Sequence, residues 1–233
     1  MDYENRQVVV TGGTGALGVA VVGALVAAGA VCHVPYRNED EAKRFPYRDH
    51  KQVSLTALGD LAEEGSVIDF YSGLNPLWAS IHLAGGFAFA SIADSTQRLL
   101  TTQLESNLVS TYLCNRAAVA AFRRAGNGGR IVNTAARQAL EPRLGASLTA
   151  YAVAKAGVLA LTVALAEEVA KDGILVNAVA PSIMDTPANR ASMPKADFDT
   201  WPKVEEVAAT ILYLASPQNK VTRGAVVPVY GKV

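Results

Sequence analysis

Between Arg6 and Arg37 the chain carries no charged residue. A stretch of that length admits two environments, a lipid bilayer or the inside of a protein core. Its glycines separate them. Gly12, Gly13, Gly15 and Gly18 cluster near the start, and Gly29 breaks the run again. The flanking segments, Gln7–Thr11 and 30–35, are short and rich in β-formers. The stretch therefore reads as strand, glycine turn, buried helix over 16–28 and second strand, and no membrane segment remains. The same alternation continues with a short helix at 39–46, a strand at 50–55, a helical pattern at 56–73 and a strand at 78–83. A long helix at 95–125, a strand at 130–134, a second long helix at 148–171 and a strand at 174–178 follow. After an irregular stretch to about 201 come a helix over Val204–Ala215 and a last strand at 225–230. Strands alternating with helices predict an α/β fold, a doubly wound parallel sheet of about seven strands with helices on both faces. No repeat or compositional break divides it, so residues 1–233 read as a single domain.

Composition removes several classes of function. Lys and Arg number 21, as do Asp and Glu, so no electrostatic footprint for nucleic acid or an anionic membrane exists. Half the residues are hydrophobic, enough for a large core. Cys32 and Cys114 lie far apart in apolar segments and read as buried reduced thiols of a cytoplasmic protein. The polar, acidic start of the chain is not a signal peptide. His33, His50 and His82 are too scattered to hold a metal, and His82 reads as a satisfied core histidine.

The turn Gly12, Gly13, Thr14, Gly15, Ala16, Leu17, Gly18 joins the first strand to the first helix. Gly13, Gly15 and Gly18 satisfy G-x-G-x-x-G in the context that dinucleotide binding needs, a Rossmann-type unit whose helix N-terminus receives a pyrophosphate. After the second strand the chain reads Pro35-Tyr36-Arg37-Asn38, with no carboxylate before Glu39. An acidic residue there would bind a ribose 2′-hydroxyl; Arg37 instead offers a fork suited to a 2′-phosphate, so NADP(H) is favoured over NAD(H).

Tyr151 and Lys155 stand one helical turn apart at the head of the second long helix. An ammonium that close favours the phenolate and brings the tyrosine towards use as a general acid. The spacing alone decides nothing, because Tyr47 and Lys51 repeat it. Tyr47, however, follows Pro46 in a polar stretch with no apolar helix to hold it.

With the glycine turn, Ala84-Gly85 after the fourth strand, Asn107, Tyr151/Lys155 and Val176-Asn-Ala-Val-Ala-Pro181 in order, the chain resembles the short-chain dehydrogenase/reductases from Gln7 to Gly231. The resemblance implies that Tyr151 donates a proton to a small-molecule substrate. Lys155 would lower the tyrosine's pKa and hold the nicotinamide ribose, and Asn107 would position a proton-relaying water. Ala84, Gly85 and Gly86 would pass close to the cofactor, while Pro181, Ile183 and Thr186 would meet its carboxamide and phosphates. Three departures stand out. Ala16 and Gly15 alter the glycine turn, His82-Leu83-Ala84-Gly85 replaces the usual Asn-Asn-Ala-Gly, and Ala136 stands where the family's serine hydroxyl binds the substrate oxygen. Thr134, Gln138 and Ser147 are the available substitutes.

All three departures occur together in the dihydropteridine reductases, which the chain resembles further in the segment 185–201, similar to that branch's substrate lid. The chain departs from the animal enzymes of that branch at Tyr36-Arg37. A quinonoid dihydropterin is already polarised, so a site without the serine suits it. The alternatives are a carbonyl or alcohol oxidoreductase using Thr134 or Ser147, and a non-catalytic NADP(H)-sensing protein. Trp201 is either packing or a cover for a flat ring. The apolar faces of helices 95–125 and 148–171, including Ala154, Ala156, Leu159, Leu161, Val163 and Leu165, predict a homodimer or homotetramer built through them.

Overall fold

The structure, a computed structural model, describes residues 1–232. The uncharged stretch folds as β1 (Gln7–Thr11), α1 (Ala16–Ala27) and β2 (Val31–Tyr36), with the two strands paired in parallel. There follow α2 (Glu39–Arg44), β3 (Val53–Ala57), α3 (Glu64–Ser72), β4 (Leu77–His82) and α4 (Gln97–Leu104). A π-turn (Glu105–Val109) joins α4 to α5 (Ser110–Ala125), and β5 (Gly129–Thr134), α6 (Arg137–Leu140) and α7 (Thr149–Glu168) come next. The chain closes with β6 (Ile174–Pro181), α8 (Pro187–Ser192), α9 (Val204–Ala215) and β7 (Val226–Val229). All seven strands form one parallel sheet in the order β3-β2-β1-β4-β5-β6-β7. The order reverses between β1 and β4, which opens a crevice at their carboxyl ends.

Helices cover both faces, and the strand residues alternate between them. Val8 and Val10 pack with Leu25 of α1 and Ile211 of α9. Val9 faces the other way, towards Tyr71 of α3 and Phe122 of α5. Every residue of β6 is buried, so the strand is apolar without alternation. Helix α7 is long and apolar enough to cross a bilayer by composition, but its inward face packs on β6.

Local chemistry moves several boundaries. β3 starts at Val53, and residues 58–63 stay irregular because Asp60 Oδ1 accepts the Ala62 N–H in an Asx turn, which delays α3 to Glu64. The long helix expected at 95–125 is interrupted by the π-turn. The irregular stretch after β6 contains α8, started by Pro187 and capped by Thr186, whose hydroxyl accepts the Asn189 N–H at 3.2 Å. Tyr47 lies in a turn with its ring edge-on to Phe45 and seated against Gly23 of α1, so the decoy pair is packing.

A buried polar chain ties the elements together beneath the crevice. The Tyr71 hydroxyl lies 2.7 Å from Ser80 Oγ, which lies 2.8 Å from His82 Nε2. His82 Nδ1 sits 2.8 Å from Asn133 Oδ1, and Asn133 donates to Thr162 Oγ1 at 3.0 Å. Burial holds the His82 pKa down at about 4 against an ordinary 6.5, so the ring is neutral in the folded protein. Between those two values the unfolded chain binds a proton that the folded chain refuses, and stability rises with pH across that window. We predict that unfolding free energy in urea falls by a few kcal/mol as the pH drops from about 6.5 to 4, and that His82→Asn flattens this slope.

Candidate active site

The turn after β1 is shaped by what it must avoid. Gly12 adopts φ +68°, and a Cβ there would stand 2.7 Å from the Ala84 backbone nitrogen at the end of β4. Gly18 lies against the backbone of Gly12 and Gly13, which leaves no space for a side chain. Gly15, a glycine of the sequence motif, has only an ordinary contact at 3.4 Å and is sterically replaceable. Gly13 faces Val34 of β2 and Leu17 points into the core, so of these two only the backbone can face a ligand. Helix α1 begins at Gly15 and Ala16 without a side-chain cap and without an acid in its first turn. Its first N–H groups and positive dipole end therefore suit an anion.

A cleft of about 620 Å³ opens in front of this turn. Gly12, Thr14, Arg37, Ala84 and Gly85 line it together, as the sequence predicts. Leu58, Asp60 and Ser106 also line it, and sequence reasoning missed them. The signal for Asp60 was present: β3 sits beside β2, so the residues just beyond its end face the same crevice. The cleft has the glycine-walled shape, close backbone and uncapped helix start that a dinucleotide requires.

Beside Gly85 lies the second half of the site. Asn107, in the π-turn and fully buried, donates from Nδ2 to the Gly86 carbonyl at 2.9 Å and accepts the Gly86 N–H on Oδ1 at 3.2 Å. That two-way clamp fixes the loop after β4, and a Cβ on Gly85 would stand 2.6 Å from Asn107 Oδ1. Lys155, 5% exposed, donates from Nζ to the Thr134 carbonyl at 2.8 Å and lies 5.9 Å from the Tyr151 ring centre. Burial pushes the Lys155 pKa down to about 8. Burial also pushes the Tyr151 pKa up to about 12, the opposite direction to the lowering by Lys155 that the resemblance implies. The Phe87 and Tyr151 rings meet edge to face at 5.2 Å between centroids, and Phe87, Phe89 and Ile92 of the same loop are exposed.

Ala136 presents a buried methyl at the start of α6. Of the three possible substitutes for the serine, Gln138 lines a groove on the outer side of α7 with Val153 and Ala156. Ser147 has φ +59°, and its carbonyl accepts the Ala90 N–H at 3.0 Å. The Thr134 hydroxyl is buried with no hydrogen-bond partner.

The segment after β6 is folded on itself. Pro181 is buried at the end of β6, Ile183 is 42% exposed, and the Thr186 hydroxyl is engaged in capping α8. Asp185 takes both Arg190 nitrogens at 2.6 and 2.8 Å, Arg190 stacks on Phe198, and Phe198 packs on Trp201. Trp201 is buried, so it is a packing residue.

The sequence profile described as short chain dehydrogenase matches residues 6–197. The chain belongs to the short-chain dehydrogenase family. It is 31% identical over 245 residues to galactitol 2-dehydrogenase of Rhizobium johnstonii, covering 97% of this chain and 94% of that protein. It is 29% identical over 236 residues to the cyclic-di-GMP-binding biofilm dispersal mediator protein of Escherichia coli K12, covering 96% and 94%. Among solved structures, ElxO with NADP bound superposes with a TM-score of 0.88 at 22% identity over 97% of this chain and 98% of that one.

Asn107 supplies a testable claim that is independent of chemistry. Asn107→Ala leaves the Gly86 N–H and carbonyl without partners. We expect a loss of about 1–3 kcal/mol in urea unfolding and faster amide exchange at Gly86, measured by hydrogen exchange.

Proposed function

We propose that this protein is a nicotinamide-dependent oxidoreductase. In this reading Tyr151 gives a proton to a small substrate carrying an already polarised C=N group, for which quinonoid dihydropterin is the test compound. The observation that carries this reading is Ala136, whose buried methyl occupies the position of the family's serine hydroxyl and leaves the half-buried Tyr151 as the single donor. No hydroxyl from that position helps to polarise a carbonyl, so the site suits an electrophile that needs only one donor.

The residues present fit the nicotinamide cofactor, which supplies hydride when bound. The Gly12–Gly18 turn and the first N–H groups of α1 would hold its pyrophosphate, with Gly85 giving it backbone-close passage and the Asn107 clamp keeping Gly86 in place. A phenol whose pKa is raised to about 12 stays protonated across the working range, so Tyr151 is available as an acid. Its proton leaves when the substrate nitrogen gains an electron pair and becomes the stronger base. Lys155, anchored on the Thr134 carbonyl, then places its charge beside the new phenolate. Phe87, edge-on to Tyr151, offers a ring against which a flat heterocycle can lie.

A second reading, a carbonyl or alcohol oxidoreductase, is favoured by the activity named for the Rhizobium relative. Substrate profiles separate the two. Tyr151→Phe should lower turnover of quinonoid dihydropterin by about 100-fold or more while NADH or NADPH still binds in fluorescence titration. Wild type without turnover of this substrate on either nucleotide sinks the pterin reading. Reduction should decline above about pH 8 as Lys155 loses its charge, and Lys155→Met should remove that limb of the kcat/KM profile.

Assembly through α5 and α7 belongs to the same reading. Val153, Ala156 and Val163 of α7 and Tyr112 of α5 are exposed on these helices, whereas Ala154 faces the core and drops out of the expected face. Light scattering at micromolar concentration should give a dimer or tetramer, and Val163→Glu should shift the population towards monomer.

A further inference from the structure

The segment that runs from β6 to α9 is held at both of its ends by the same three residues. It leaves β6 beside the end of β5, where the Ala135 N–H donates to the Val179 carbonyl at 2.8 Å and Ala136 follows. It therefore starts at the carboxyl edge of the sheet, next to the strand whose Thr134 carbonyl anchors Lys155. At its start, Ser182 donates its N–H to the Val229 carbonyl at 3.2 Å and its hydroxyl to the Tyr230 carbonyl at 2.9 Å. At its far end, the Thr200 carbonyl accepts the Lys232 N–H at 2.8 Å. Gly231 lies between these bonds at φ +69°, and a Cβ on it would stand 2.7 Å from both the Thr200 oxygen and the Pro202 nitrogen. The Arg137 guanidinium sits 4.6 Å from the centre of the Tyr230 ring, and Arg137 is the residue after Ala136. Tyr230, Gly231 and Lys232 thus tie both ends of the segment to the first turn of α6.

The segment is also closed and braced within itself. The Asp185 N–H donates to the Pro202 carbonyl at 2.9 Å, which brings its ends together. The Asp185–Arg190 pair, with Arg190 on Phe198 and Phe198 on Trp201, fills its interior. A loop whose ends meet and whose interior is packed keeps its own shape, so its placement is decided at its base. Resting on the oxidoreductase reading of the site, we infer that Tyr230, Gly231 and Lys232 are positioning residues. They fix the loop 182–201 against α6 and so set the width of the space in which a substrate reaches Tyr151. When this base yields, the loop stays folded but stands further from α6, and the substrate is held less well. The cleft in front of the glycine turn is lined by other elements, so nucleotide affinity does not follow. Loss of binding shared by substrate and transition state appears in KM and leaves kcat in place.

The test combines steady-state kinetics on quinonoid dihydropterin, nucleotide titration and hydrogen exchange, all on the purified protein. Gly231→Ala pushes a methyl against Thr200 and Pro202, and Ser182→Ala removes the hydroxyl bond at the other end. Each should raise KM by about three- to ten-fold, with kcat and the nucleotide Kd within about two-fold of wild type. Amide exchange across 185–200 should quicken in both. Ser182→Thr keeps the hydroxyl and should restore the wild-type KM. Gly126 ends α5 at the same φ of +69° with open space around it, at the opposite end of the sheet. Gly126→Ala therefore brings backbone strain without a collision, and it should leave KM and the exchange of 185–200 unchanged. Wild-type KM and exchange in both Gly231→Ala and Ser182→Ala, or an equal change in Gly126→Ala, would overturn the inference. A loss of nucleotide affinity that matches the rise in KM would overturn it as well. A change in one variant alone removes the claim for the other contact, and if Gly231→Ala does not fold, the Ser182→Ala and Ser182→Thr pair decides. Wild type without turnover sinks the pterin reading instead, and exchange across 185–200 then decides on the base: unaltered rates in both variants would overturn it.

Discussion

The structure turns on the approach of two backbones at the reversal of strand order. Gly12, leaving β1, passes so near the Ala84 nitrogen beyond β4 that a single methyl would force them apart. That contact closes the floor of the crevice and brings the β4 loop within reach of Asn107. The clamp of Asn107 on Gly86 then aligns the loop with Lys155, which Thr134 anchors from the neighbouring strand. The cleft and the Tyr151–Lys155 pair are thus held by the ends of three adjacent parallel strands, β1, β4 and β5, and by the helices that cover them.

Within that frame, desolvation governs the electrostatics of the site more than pairing does. Tyr151 and Lys155 are both pushed towards their neutral forms by burial. The same force keeps His82 neutral and the two cysteine thiols protonated, with Cys32 and Cys114 both raised to about 12. The outer rim of the cleft obeys a different rule. There water screens the charges, and neighbouring donors and acceptors pair with one another at little net gain.

Much of the fold was legible because apolar runs and glycines report burial directly. β1, α1 and α9 appear almost where the sequence puts them, and His82 is the satisfied core histidine it was read as. What escaped were features that depend on side chains closing local turns. The Asx turn at Asp60 moved α3, the π-turn divided a helix that periodicity treats as continuous, and Thr186 capped a helix inside an apparently irregular stretch. In the site, positions were easier to read than states. Gly12, Arg37 and Gly85, named from the sequence, line one cleft. The sequence could not show that Arg37 pairs with Asp60, that Gly15 has room for a side chain, or that burial raises the Tyr151 pKa.

The π-turn has a further consequence for how α4 and α5 can change. One extra residue is accommodated there without breaking the helix, and the Thr111 hydroxyl of α5 donates back to the Asn107 carbonyl at 2.7 Å. Each helical residue turns the chain by about 100°, so α4 and α5 are two rods held out of phase by that one residue. A single deletion within Glu105–Val109 would let the backbone relax into an uninterrupted α-helix. It would also swing the face of α4 round by about a quarter of a turn, carrying Gln103 off Asn107. The insertion therefore works as a phase shifter, through which a helix optimised for packing also delivers one side chain to the crevice.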